Sequence, residues 1–322
     1  MSTSIYAYTT SLSRIFKSQI SISDIFNELI NEKELRNVIN ILKSKGFISE
    51  EPKDLNDLEW AIRKKGLELI SKLLNYSLSS KLIEKYAMTY FYILAIEELR
   101  YVVNSVYNNL DIDFRRFHIL NRYLDSQPRS LEELSSILKG TIFGDALSFA
   151  LSKGLKEIST ILSLLDYYFI YNLNRINQEL KGDFRISADQ LICGYKDYYT
   201  LLLAFKHKIQ LDSVCKLSSD IVKEAYSASK ISELVDILKR SYYSQYLDFS
   251  EPYNTLESMY ILARINARKR ALAMFMGSPF SPLAAFGVLE LIRLNIEDLI
   301  TIVNGIKLEM PAEKIRKFLS IG

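Results

Sequence analysis

Asn295-Ile296-Glu297-Asp298-Leu299-Ile300-Thr301-Ile302-Val303-Asn304-Gly305-Ile306-Lys307 is the stretch that decides the fold, because the chain says it more than once. Two hundred residues upstream stands Ile96-Glu97-Glu98-Leu99-Arg100-Tyr101-Val102-Val103-Asn104-Ser105-Val106-Tyr107, with Ile, Glu, Leu, Val and Asn identical at one fixed offset. Between them lies a fainter copy, Tyr195-Lys196-Asp197-Tyr198-Tyr199-Thr200-Leu201-Leu202-Leu203-Ala204-Phe205-Lys206, at an offset of 101 from the last. An internal period fixes the architecture before any single residue does.

Within each copy the apolar residues fall at positions 0, 3, 7 and 10. They read Ile96, Leu99, Val103 and Val106; Tyr195, Tyr198, Leu202 and Phe205; Ile296, Leu299, Val303 and Ile306. That spacing lays one stripe along a helix, and the stripe is read as core. Glu97, Glu98, Glu297 and Asp298 lie off it and are assigned to the start of the helix, where the dipole favours acids. Asn104 and Asn304 recur mid-helix despite poor helix propensity; they make a structural hydrogen bond or touch a partner.

The period extends outward. Glu51-Pro52 and Glu251-Pro252 are 200 residues apart, and each precedes a helix entered by Leu-Glu, at Leu58-Glu59 and Leu256-Glu257. Asp113, Asp212 and Glu313 fall in register and are each expected to begin a short final helix, with Pro311 opening the last one. The rest reads as helix too. Segments 5–20, a pair from Ser21-Ile22-Ser23-Asp24 as cap to Gly46 as stop, and 56–76 precede the first copy. Segments 131–138, 144–151, 156–180 and 187–206 follow, then 221–229, 231–245, 254–276 and 283 onward. No strand-length alternation stands out, and no Asn-Gly or Asp-Gly joins two strand-like runs. The expectation is an all-α chain in three blocks, 1–122, 123–221 and 222–322.

Composition narrows the function. A net charge of +3 from 41 basic and 38 acidic residues gives no basic stripe, so nucleic acid is not expected as a partner. Neither GxxxxGK[ST] nor GxSxG occurs, so no nucleotide cofactor, small-molecule substrate or catalytic residue is assigned. Two cysteines, Cys193 and Cys215, and two histidines, His118 and His207, do not make a metal motif; two free buried thiols are expected. The N-terminus does not read as a secretory signal. Residues 271–289 carry no charge, but Gly277-Ser278-Pro279-Phe280-Ser281-Pro282 at their centre predicts two helix ends and a turn rather than a membrane span.

Taken together, Tyr6-Ala7-Tyr8 with Arg14-Ile15-Phe16-Lys17-Ser18, the triplication, and Ser278-Pro279-Phe280 with Glu290 and the closing stretch resemble the C-type subunits of archaeal A-type ATP synthases. Those subunits are similar to the d-type subunits of the vacuolar ATPases. The family's Asn-Leu-Arg is here Asp298-Leu299-Ile300, and the middle copy, Tyr198-Tyr199-Thr200, departs furthest. The resemblance implies three helical domains in pseudo-threefold array forming a funnel with a central cavity. It implies a non-catalytic rotor subunit, peripheral on the cytoplasmic face of the membrane. Its partners would be subunits D and F of the central shaft and the membrane proteolipid ring. Candidate contacts are Arg14 and Lys17 on the first helix, Arg264, Arg268, Lys269 and Arg270 on one late helix, and the apolar turn at Pro279 and Phe280. Each basic group is otherwise a solvated face, and the turn otherwise packs within its domain. The alternative is a helical-repeat scaffold unrelated to rotary ATPases, stacked as an open solenoid.

Overall fold

A leading helix, α1 (Thr3–Ile20), precedes a run of two short helices and two long ones that occurs three times. The first run is α2 (Phe26–Asn31), α3 (Leu35–Ser44), α4 (Leu55–Tyr76) and α5 (Lys81–Tyr107). The second is α6 (Leu131–Ile137), α7 (Ile142–Leu151), α8 (Ile158–Asn177) and α9 (Gly182–His207). The third is α10 (Ser219–Ser227), α11 (Ile231–Leu238), α12 (Thr255–Ala273) and α13 (Leu283–Lys307), with α14 (Ala312–Lys317) closing the chain. This computed structural model describes residues 3–22, 25–76, 80–154 and 157–321, and among them there is no strand. The all-α expectation holds.

Local chemistry starts and stops these helices. Ser130, Thr141 and Ser218 each accept a backbone N–H with the side-chain oxygen and so cap α6, α7 and α10. Gly46 takes a φ of +70° past α3, and the Phe47 N–H reaches back to the Leu42 carbonyl. Ser23 and Asp24, expected to cap α2, lie outside the described residues. The proline turn ends α12 and starts α13, and no described helix is long and apolar enough to cross a membrane.

The three copies of the signature lie in α5, α9 and α13, the three longest helices. Their stripe is fully buried in the first and third copies and partly so at Tyr198, Leu202 and Phe205. Burying each large apolar side chain contributes roughly 1.5–3 kcal/mol. The helices also end alike. Asn109, Lys208 and Glu309 occupy one register position and are the three described non-glycine residues with positive φ, at 53°, 53° and 54°. Lys and Glu do not favour that conformation. The fold imposes it, because each residue turns the chain away from its helix end.

Two expectations are corrected here. Asp113 caps a short 3-10 turn and Glu313 lies in the first turn of α14, but no helix begins at Asp212. Glu97, Glu98, Glu297 and Asp298 lie more than a dozen residues inside α5 and α13. The dipole acts only within the first turn, so these acids have another reason to be there.

The long helices pack in a closed succession: α4 on α5, α5 on α8, α8 on α9, α9 on α12, α12 on α13, and α13 back on α4 and α5. An open stack of repeats would leave its first and last units apart. Close approach is written into the sequence at Gly194 of α9, where a Cβ would stand 2.9 Å from Ala263 of α12. Tyr86 stacks on Phe286 at 3.7 Å, pairing equivalent positions of α5 and α13. Asn304 donates to Glu59 of α4 at 2.9 Å, a bond between the first and third runs. Asn104 instead accepts locally from Asn108 at 3.0 Å.

Candidate functional site

Residues of all six long helices line one cavity of about 190 Å3. Arg63 comes from α4; Glu97 and Arg100 from α5; Asp166 from α8; Tyr199 from α9; Tyr260 from α12; Arg293 and Glu297 from α13. Its charges alternate. Arg100 pairs with Glu97 at 2.8 Å and with Asp166, and Arg293 pairs with Glu297 at 2.6 Å. Burial pushes the Asp166 carboxyl up, while its Arg100 partner pulls it back.

Beneath the cavity sits a buried polar plug. Glu290 accepts from Tyr90 at 3.0 Å, from Tyr195 at 2.9 Å and from Arg293 at 2.7 Å. Tyr90 occupies the position equivalent to Glu290, 200 residues earlier. The Arg293 guanidinium lies over the Tyr195 ring at 4.8 Å and the Phe169 ring at 5.4 Å. Glu290 is 1% exposed and Arg293 2%. Burial alone would disfavour the Arg293 charge, but the Glu290 and Glu297 carboxylates outweigh it and hold the guanidinium charged.

The off-stripe acids explain how each run closes. Glu98, Asp197 and Asp298 share one register position, and each is buried. Glu98 accepts the backbone N–H groups of His118, Ile119 and Leu120. Asp197 accepts those of Cys215, Lys216 and Leu217, and the Tyr243 hydroxyl at 2.8 Å. Asp298 accepts the Ser320 N–H at 2.9 Å and its hydroxyl at 2.6 Å. One carboxylate per copy thus satisfies the N–H groups of the segment that returns after the long helix. The first residue of each returning segment is also anchored by its side chain. His118 stacks on Trp60 at 3.9 Å, Cys215 bonds to Cys193, and Ser320 accepts from Arg268 at 2.8 Å. The two cysteines form a disulfide, so the expectation of free buried thiols is overturned. Sequence spacing does not register that Cys215 returns across α9.

The residues proposed as contacts separate into three groups. Arg264 and Arg268 turn inward. Arg264, 5% exposed, binds Asp298 at 2.6 Å and the Phe318 carbonyl at 2.7 Å. Arg268 binds Asp298 at 3.0 Å and Asn295 at 2.7 Å. A solvated face does not describe either one. Lys269 and Arg270 are exposed and line a separate pocket beside the disulfide. Arg14, Lys17, Pro279 and Phe280 come together at one tip. Arg14 donates to the Phe275 carbonyl at 3.1 Å, Lys17 lies over the Phe275 ring at 4.9 Å, and Thr10 donates to the Pro279 carbonyl at 2.9 Å. So α1 clamps the turn between α12 and α13, and Met276 (88%) and Phe280 (53%) project from it. Missed in the sequence were Asp197, Glu290 and Arg293 as a set; the signal for Asp197 was its register with Glu98 and Asp298.

Both histidines report on pH. Desolvation lowers the pKa of His118, an exposed residue with its ring stacked on Trp60, and of half-buried His207 from the usual 6.5, against the pull of nearby carboxylates. Folding therefore prefers the neutral rings. Their contribution is complete above pH 6.5 and is lost as pH falls through the lower folded values. The raised Asp166 and Asp197 carboxyls work oppositely, stabilising below 3.8 and losing that contribution as pH rises through their folded values. The difference between variants isolates the histidines. Replacing His118 with Phe is expected to shrink the fall in Tm between pH 7.5 and 5.5; an unchanged fall would discard the assignment.

The family model described as ATP synthase (C/AC39) subunit matches residues 9–318. No match was found among curated proteins. The match spans nearly the whole chain, and the chain belongs to this family, the non-catalytic C/d subunits of A/V-type ATP synthases.

Proposed function

From membership in that family, we propose that the chain is the rotor adapter of an A/V-type ATP synthase, coupling a membrane proteolipid ring to a shaft of subunits D and F. The three blocks, 1–122, 123–221 and 222–322, act as like units in pseudo-threefold array around one axis, forming a funnel. The observation that carries this reading is the cavity to which all six long helices contribute. A torque adapter needs parts that do not yield to one another, and closed helix packing over a buried ionic plug supplies them.

The geometry also refines how a shaft is received. A helix with its side chains is about 10–12 Å across, and a cavity of about 190 Å3 does not admit one. The shaft foot therefore seats on the charged rim of Arg63, Glu97, Arg100 and Glu297, where alternating signs fix register more than they add affinity. The tip at Met276, Pro279 and Phe280 faces the ring, braced by Arg14 and Lys17. Leu283, just after the tip, is about 15 Å along α13 from Arg293 at 1.5 Å per residue, so tip and rim are separate surfaces. Arg264 and Arg268 hold α12 against α13 rather than reaching a partner. The protein sits peripherally on the cytoplasmic face of the membrane.

The test is reconstitution with two separate partners, the D–F complex and the detergent-solubilised ring. The wild-type chain is expected to bind both and to hydrolyse no ATP alone. Met276→Glu with Phe280→Glu is expected to weaken ring binding at least 30-fold, because buried apolar anchors dominate interfaces, while D–F binding stays within twofold. Failure of the wild-type chain to bind either partner would sink the reading.

A further inference from the structure

The disulfide does not lie in the sealed core. Cys215 is exposed and Cys193 half-buried, and both line a pocket of about 310 Å3, at the low end of small-molecule sites. The pocket's charged residues are Lys216, Lys269 and Arg270; among the described residues no acid lines it. The Asp197 carboxylate is buried and occupied by the N–H groups of Cys215, Lys216 and Leu217. Tyr242 forms a further side of the pocket, with the Lys216 ammonium 5.4 Å from its ring centre. An accessible disulfide at the mouth of an all-cationic pocket has the setting for exchange with anionic thiols, because rate follows thiolate access and leaving-group stability.

We propose that this pocket is a thiol-exchange site that takes a small anionic thiol and holds it as a mixed disulfide on Cys215. The incoming thiolate attacks Sγ of Cys215, an exposed residue that lines the pocket. A new S–S bond forms, the Cys193–Cys215 bond breaks, and Cys193 leaves as a thiolate that the pocket cations stabilise. A second equivalent of thiol attacks the mixed disulfide, releasing the oxidised thiol dimer and the Cys215 thiolate. Two thiols are oxidised and one protein disulfide is reduced, a balanced two-electron exchange. The anionic groups of the adduct rest against Lys269 and Arg270. Exchange removes the one covalent tie between α9 and the returning segment, leaving that segment held by the Asp197 carboxylate. The site is independent of the docking tip at 276–280.

The experiment treats the folded full-length chain with reduced glutathione, or with uncharged 2-mercaptoethanol at equal thiolate concentration, and maps adducts by mass spectrometry. Glutathione is expected to modify Cys215 about tenfold faster, as cationic clefts steer anions. High salt, or Lys269→Gln with Arg270→Gln, should erase the advantage. Cys193→Ser supplies a second arm. Its free Cys215 should take glutathione from glutathione disulfide, with the same dependence on Lys269 and Arg270. Equal rates for the two thiols, adducts on Cys193 instead, or no reaction before the chain unfolds would each overturn the proposal.

Discussion

Replacing Asp298 with alanine is expected to cost about 3–5 kcal/mol of folding stability, the range for removing one partner of a buried ion pair. The side chain is fully buried. It neutralises Arg264 and Arg268 together and accepts both the N–H and the hydroxyl of Ser320. Alanine leaves Arg268 without a carboxylate, leaves Arg264, 5% exposed, with Glu297 alone at 3.3 Å, and leaves a buried N–H without its acceptor. Urea unfolding of wild type and Asp298→Ala at matched m-value measures the loss. Adding Arg264→Met should recover part of it, since much of the cost is the charge left behind. A loss under about 1 kcal/mol would mean that the carboxylate does not organise this end of the chain. The same replacement at Glu98 should cost less. Its partners are three backbone N–H groups and no buried cation.

Arg293→Ala is the second large effect, again about 3–5 kcal/mol. Here the group left behind is Glu290, 1% exposed and facing two tyrosine hydroxyls. The informative comparison is Glu290→Leu with Arg293→Met, which removes both charges and keeps most of the volume. That double variant is expected to lie within about 2 kcal/mol of wild type, or above it, because desolvation of both ions offsets most of their attraction. Such an outcome would identify the plug as a device that fixes how α5, α9 and α13 meet. Equal losses in the single and double variants would instead assign the cost to packing alone.

The sequence was legible where the physics is local. The stripe in each signature copy, the proline break after α12 and the glycine stop after α3 follow from residue spacing and backbone preference. They give the helices to within a few residues at most ends. Triplication was legible for the same reason: like stretches fold to like helices, and α5, α9 and α13 are the three longest. The acids beside the stripe were misassigned. A register position that stays acidic as Glu98, Asp197 and Asp298 was already visible, but a pattern does not say what returns to meet it. The partners lie 18 to 22 residues further on, across a reversal of the chain.

Sequence alone, then, determined that the chain is helical and repeated, because helix formation and repetition are set by neighbours along the chain. Tertiary structure alone decided that Arg264 and Arg268 turn inward, that Cys193 and Cys215 join, and that six helices share one cavity. Those outcomes depend on which helices come to lie side by side. A charged residue off the apolar stripe is solvated or buried according to what packs over it, and for Asp298 it was α12 and the returning C-terminal segment that did so.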